Sequence, residues 1–360
     1  MTLDDAFRTL EESPISCLSL GSKELFHSNF LWWFAKTYPA QSGIVFGHYV
    51  QGASDQRTVV KAQREKGDID LKLTFENGQE LLIENKVKSL PDKKQLERYA
   101  EKFPVPNRLL LAFQEPSFMN ELKPPWNFLS HSKLAHLLYS ALPTIQNPYH
   151  LNILTDYIDF VRALTEFDKS TAINFETDHY EFPFSKDTQD LRLSDLYLKK
   201  KYENMAIRIR DQLVVAGVAD SKVKLNISAE EKSVNVGDFA VKTGFSRAQG
   251  LVDVFFKFTG NIVLGVQLQA EQYRLIVGSM TDGGACKEVA ERYRDLWFDF
   301  SQFGKSVQEY PKRNVFNKYG DRFLYRSVHV DKSYKVSQLI QFITKDALRA
   351  QGLSKSSPLA

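Results

Sequence analysis

With 360 residues, 43% of them hydrophobic and 25% charged, the chain has room for two domains and a sizeable core, and its makeup excludes a disordered or repetitive protein. Apolar runs such as FLWWFA (30–35) are too short to cross a bilayer, and the acidic start MTLDDAFRTLEESP lacks the basic-then-apolar pattern of an export signal. A net charge of +3 leaves nucleic acid and small substrates both open, so attraction to phosphate has to come from local patches. Residues 3–12 and 22–37 are predicted helices. The second starts at the N-cap Ser22 and carries an apolar stripe through Leu25, Phe26, Phe30, Trp33 and Phe34. QRTVVKAQREK (56–66) suits a strand, and GDIDLKLTFENGQELLIENKVK (67–88) reads as two more strands joined by a tight turn. After Pro91, DKKQLERYAEKF (92–103) is an amphipathic helix with Leu96, Tyr99, Ala100 and Phe103 on one face. NRLLLAFQ (107–114) has the near-continuous apolar run of a strand buried on both faces, and 131–142 and 149–167 alternate on a helical period. This order predicts an α/β domain over 1–170 with a mixed central sheet flanked by helices.

The character changes near residue 170. STAINFETDHYEFPFSKDTQD is polar and aromatic without periodicity, so 171–190 is expected to be a linker or covering loop. A helix at 192–217 is followed by strand-like KVKLNIS, DFAVKTGF, LVDVFFKF and NIVLGVQLQAEQYRLIVGS, then by helices at 286–303 and 333–351. Residues 191–360 therefore read as an α+β domain with an antiparallel meander that binds substrate or partner. Asp253 and Gln267 repeat the fourteen-residue step from Asp70 to Glu84. Gln267 and Gln269 cannot supply metal charge, however, so a plain meander is expected. KRNVFNKYGDRFLYR (312–326), with basic and aromatic residues interleaved, and Lys199–Lys201 on a helix suit either nucleic acid or solvated surface.

The hairpin raises the chemical question, because Asp70, Glu84 and Lys86 sit in strands otherwise built for burial. A two-residue Asn77-Gly78 turn would set Leu71 against Glu84. A three-residue loop, Glu76-Asn77-Gly78 with Gly78 left-handed, pairs Phe75 with Gln79, Leu73 with Leu81 and Leu71 with Ile83. Register follows the apolar pattern, so the second arrangement is expected, with Asp70 directly across from Glu84. Two facing carboxylates repel unless a cation lies between them. They form an oxygen-rich site for a hard divalent ion, with the Asn85 carbonyl as a further ligand. Lys86, beside Glu84, is placed to orient or help deprotonate an attacking water, which points to phosphodiester hydrolysis.

These residues, Asp70 followed after thirteen positions by Glu84-Asn85-Lys86, resemble the Asp–Glu-X-Lys core of the PD-(D/E)XK nuclease superfamily. KELFHSNFLWWF resembles that family's leading helix and REKGDIDL its approach to the Asp strand. DKKQLERY resembles the helix after Glu-X-Lys, which often bears a Gln, and KPPWNFLSHSKLAHLL with YHLNILTDYIDFV resembles the tail of bacterial members. Ile69 stands where the family motif has proline. The resemblance spans residues 20–168 and implies a restriction-endonuclease-like core. It further implies Mg2+-dependent nuclease activity in which Mn2+ substitutes, on nucleic acid, DNA ahead of RNA. Glu24 of the leading helix would approach the metal, and Gln95 would contact phosphate or water.

Around this set, Glu65 reads either as an outer acid or metal ligand or as a plain surface residue. Glu24, His27 and Ser28 share a helix face, with capping and a satisfied core histidine as the alternative. Lys88, Lys93, Lys94 and Arg98 could track a phosphate backbone or merely form a solvated face. His131, His136, His150, His179 and His329 show no metal spacing. Two cysteines, Cys17 and Cys286, cannot build a four-thiolate zinc site and read as reduced thiols of a cytoplasmic protein. No membrane partner is expected, and a homodimer is allowed. The competing reading is a catalytically silent nuclease-like protein that binds nucleic acid or acts as a scaffold.

Overall fold

In the first half of the chain, apolar alternation and short turns build the sheet while longer amphipathic stretches cover it. The structure is a computed structural model that describes all residues except 20–22, 51–57, 67–68, 88–90, 117, 184, 228–233, 247, 280–282, 305–307, 312–314, 321–322 and 356–360. The side chains of residues 17, 23–24, 66 and 283–284 also lie outside the description. Helices α1 (Leu3–Glu12), α2 (Pro14–Ser19), α3 (Lys23–Thr37) and α4 (Pro39–Phe46) precede strands β1 (Val59–Lys66), β2 (Ile69–Phe75) and β3 (Glu80–Asn85). Then come α5 (Lys93–Lys102), β4 (Asn107–Ala112), β5 (Asn127–Ser130), α6 (His131–Ala141) and α7 (Pro148–Ser170). The sheet order is β1-β2-β3-β4-β5, antiparallel as far as β3 and parallel from β3 to β5.

Burial follows position in that sheet. β2 alternates, with Ile69, Leu71, Leu73 and Phe75 buried, whereas β3 and β4 are buried on both faces because helices cover both. On one side, α5 brings Leu96 and Tyr99 against Leu82 and Leu110. Its N-cap Asp92 accepts from the Gln95 N–H at 2.8 Å. On the other side, α3 packs on β1, β2 and β3. The buried stripe of α3 runs through His27, Phe30, Leu31, Phe34 and Ala35, while Leu25, expected to be part of it, is 42% exposed. The N-cap proposed at Ser22 lies outside the described residues.

Two compact units divide the chain: Met1–Thr171 with Phe184–Leu196, and Ala172–Pro183 with Tyr197–Ala360. The stretch 171–190, expected as a linker, is thus shared between the units and contains the short helix α8 (Lys186–Asp190). Leu191, Leu193 and Leu196 are buried and belong to the first unit. A chain truncated after residue 170 lacks them. It is expected to melt several degrees below one truncated after 196, because each buried leucine contributes about 2 kcal/mol. Thermal melts of the two truncated chains, followed by circular dichroism, check this.

The second unit contains most of α9 (Ser194–Val215), then β6 (Val223–Leu225), β7 (Phe239–Ser246), β8 (Gln249–Thr259), β9 (Ile262–Gln269) and β10 (Gln272–Ser279). It continues through α10 (Gly283–Arg292), α11 (Arg294–Trp297), β11 (Glu309–Tyr310), β12 (Asn317–Tyr319), β13 (Phe323–His329) and α12 (Val336–Lys355). Strands β7 to β10 form an antiparallel meander. β13 extends it on one side and β6 joins β7 in parallel on the other, so both sheets of the protein are mixed. One face is covered by α9, α10 and α12, whose Met205, Ile209, Val289, Leu339 and Ile343 share a core with Val254, Val266 and Leu275. The helix expected over 286–303 is broken at Tyr293, and the second piece carries Trp297 into that core, where its Nε1 donates to the Ile276 carbonyl at 3.0 Å. No described helix is long and apolar enough to cross a membrane.

Asp253 lies across from Gln267 in the meander, and Gln267 Nε2 donates to its carboxylate at 2.7 Å. Burial raises the Asp253 carboxyl from 3.8 to about 6, against the downward pull of that hydrogen bond and of Lys242 and Arg274. Between those values the unfolded chain has released a proton that the folded protein keeps. Stability contributed by this group therefore falls as pH rises from about 4 through about 6, by on the order of 3 kcal/mol. Asp253→Asn keeps an acceptor for Gln267 without the charge. Relative to the parent, it is expected to melt higher above about pH 6 and nearly the same near pH 4, which melts across that range check.

Candidate active site

Parallel pairing of β3, β4 and β5 brings their carboxyl ends to one end of the first sheet, where Asn85-Lys86, Phe113 and Ser130-His131 follow. Open α/β sheets hold their ligands at such ends. The hairpin feeding it has the register that the apolar pattern requires, with Leu73 across from Leu81 and Leu71 across from Ile83. Its loop closes with Gly78 at φ +76° and the Phe75 N–H donating to the Gln79 carbonyl at 2.9 Å. A side chain at that φ would strain, which is why glycine occupies it.

The β2–β3 pairing ends at Leu71 and Ile83, and one further step of the register sets Asp70 across from Glu84. There the Asp70 carboxylate accepts the Asn85 N–H at 2.7 Å, so a side chain continues the ladder where the paired strands stop. Glu84 and Lys86 are both buried, and Lys86 Nζ lies 2.8 Å from Glu84 Oε1. These two charges are therefore not at a solvated edge. They are enclosed because β3 is the middle strand and α5 covers the face that Glu84 shares with Leu82.

The main chain between them is held from three directions. The Asn85 side chain turns to the opposite face, and its Nδ2 donates to Ser28 Oγ of α3 at 3.3 Å. The Lys86 N–H donates to the Leu111 carbonyl of β4 at 2.8 Å. Its carbonyl accepts from His131 Nε2 at 3.2 Å, which fixes the proton of that imidazole on Nε2. His131 opens α6 behind the N-cap Ser130, and its ring packs 4.6 Å from Phe113 and 5.5 Å from His27. His27 Nδ1 in turn lies 2.8 Å from the Tyr157 hydroxyl, whose pKa burial pushes far above its ordinary value, so it stays protonated. A buried polar and aromatic layer thus backs the Glu84–Lys86 segment and fixes its backbone.

The remaining sequence-expected residues fall in different places. Lys88 and the side chain of Glu24 lie outside the described residues. Glu65 is exposed near the end of β1 with φ 50°, and no three His, Cys, Asp or Glu side chains among the described residues are gathered closely enough to hold a metal. Gln95 Nε2 donates to the Tyr99 hydroxyl of its own helix at 2.7 Å. Lys93 pairs with Glu121 at 2.6 Å, while Lys94 and Arg98 are exposed on α5, the latter 5.4 Å from the Tyr99 ring. Sequence reasoning missed the support that His131 and Tyr157 give. The only available signal for His131 was its place directly after a Ser N-cap in NFLSHSKLAHLL, which sets it at the first turn of a helix. No family model, no curated protein and no solved structure matches the chain.

Proposed function

We propose that the protein is a metal-dependent nuclease that hydrolyses phosphodiester bonds of nucleic acid, DNA ahead of RNA, from a restriction-endonuclease-like core in its first unit. The observation that carries this reading is the register that sets Asp70 across from Glu84, with Lys86 2.8 Å from the Glu84 carboxylate at the end of a central strand. A helix, three strands, a helix and a strand, the order read from the sequence, make up this part of the chain, with α4 added between α3 and β1.

The donor set suits Mg2+, a hard cation that takes one or two carboxylates and keeps several waters. Asp70 and Glu84 would hold it, with the Asn85 carbonyl near at hand. When bound, the ion supplies positive charge to the phosphoryl oxygens and acidifies water. The chain's own contribution is positional and electrostatic. Lys86 carries its ammonium on a backbone clamped by Leu111 and His131, where it can orient a water for in-line attack and offset charge developing on phosphate. Labelled single- and double-stranded DNA and RNA, incubated with Mg2+, Mn2+ or EDTA, test the reading. Metal-dependent cleavage of any of the four supports it. No cleavage in any metal would replace it with the silent binding or scaffold reading.

A further inference from the structure

The meander sheet of the second unit buries one face under helices, and its other face carries a different chemistry. Register lines up the outward residues across the strands. Tyr319 pairs with Phe323, which pairs with Gly278, while on the next row Tyr325, Ile276, Gly265 and Phe255 follow one another. Both glycines make room for rings. A Cβ on Gly265 would come within 2.4 Å of the Phe255 ring, and one on Gly278 within 2.8 Å of the Phe323 ring. The two aromatic side chains therefore lie down across the sheet, with ring centroids 6.5 Å apart. Tyr319 is 73% exposed, and Phe323 and Tyr325 are half-buried. Ile227 and Val234 pack over Ala240 and Val263, with Phe255 against the same cluster, so this cover reaches the sheet beside Phe255.

The next row is polar and cationic. Lys242, Asp253, Gln267 and Arg274 stand side by side on β7 to β10. Arg274 is held by three neutral carboxamides, donating to the side-chain oxygens of Gln267, Gln269 (2.9 Å) and Gln272, and its guanidinium lies 5.6 Å from the Tyr325 ring. Amide oxygens orient the guanidinium without cancelling its charge. Among the described residues of β8 to β10 and their partner Lys242, this face carries Lys242, Lys257 and Arg274 around Asp253.

We propose that this face binds single-stranded nucleic acid, with bases stacked on Tyr319, Phe323 and Tyr325 and the phosphates drawn to Arg274, Lys242 and Lys257. Aromatic rings beside cationic side chains on one sheet face offer what an unpaired strand exposes, base faces and phosphates together. A duplex hides its base faces and would gain only the charge. The proposal stands on the second unit alone and does not require that the first unit cleaves.

Fluorescence anisotropy of the full chain in EDTA, with labelled oligo-dT, oligo-U and a DNA duplex, tests it. Either single strand is expected to bind more tightly than the duplex, and more weakly as salt is raised. Tyr319→Ala with Tyr325→Ala is expected to weaken single-strand binding by about tenfold or more, Tyr325→Phe to retain it, and Arg274→Gln to flatten the salt dependence. Thermal melts establish that each variant is folded, and Tyr319→Ala alone serves should the double variant melt low. Unchanged affinity in the tyrosine variants, preference for the duplex, or no binding to either single strand would overturn the proposal. Because EDTA stops metal-dependent turnover, a protein that binds single strands through these tyrosines and cuts nothing overturns the nuclease reading alone.

Discussion

Asp70→Asn, Glu84→Gln and Lys86→Gln are each expected to lower cleavage on the order of a thousandfold or more while leaving the protein folded, and the first two to lose metal binding as well. The choice of isosteres follows from burial. A charged residue at a wet hairpin edge can be cut back to alanine for within about 0.5 kcal/mol. The side chains of Glu84 and Lys86 are instead 3% and 10% exposed and paired at 2.8 Å. Removing the carboxylate would take the paired charge from an enclosed ammonium, at about 3–5 kcal/mol. Gln at 84 retains an oxygen for Lys86, and Asn at 70 retains one for the Asn85 N–H. Single-turnover cleavage in Mg2+, calorimetric titration with the metal and a melt of each variant separate lost chemistry from lost structure. Wild-type cleavage by Lys86→Gln would remove Lys86 from the mechanism.

The largest expected loss of stability is in the second unit, at Asp346 on α12. Its buried carboxylate accepts from the Tyr273 hydroxyl at 2.6 Å and from Gln302 Nε2 at 2.8 Å, and pairs with Arg349 at 2.9 Å. Arg349 also donates to the Trp297 carbonyl at 2.9 Å and lies 5.4 Å from the Trp297 ring. One carboxylate thus ties α12 to β10 and to the chain after α11. Asp346→Ala strands three donors, one of them charged, and is expected to cost about 3–5 kcal/mol, a drop on the order of 10 °C in the melting of that unit. Asp346→Asn is expected to cost much less. Burial already raises this carboxyl to about 6, so the charge itself is held at a disadvantage, and an amide oxygen still serves Tyr273 and Gln302. Denaturant unfolding of the two variants side by side distinguishes lost acceptor from lost charge.

What the sequence revealed and what it hid have separate physical origins. The hairpin register was legible because Leu71, Leu73, Leu81 and Ile83 can share a face only with a three-residue loop, and Asn77-Gly78 supplies its chemistry. Alternation on two strands says nothing of what lies beyond them. That β3 is central depends on β4, whose residues come more than twenty positions later, and so the burial of Glu84 and Lys86 was not legible. His131 reaches the Lys86 carbonyl across 45 residues, a contact with no trace in local pattern. β5, β11 and β12 are too short to read, and β13 went unread because interleaved basic and aromatic residues mask its alternation. The broken helix at Tyr293 was missed because its apolar period continues through the break, the chain turning only to carry Trp297 into the core.

The division of the chain has a consequence for how such a protein can be rearranged. It passes from one unit to the other after Thr171, back after Pro183 and over again after Leu196. A single crossover at any of these points separates at least one unit from a segment of its own, and one after Pro183 divides both. Neither unit is a contiguous cassette, so recombination that exchanges one of them intact must rejoin the chain at three junctions together.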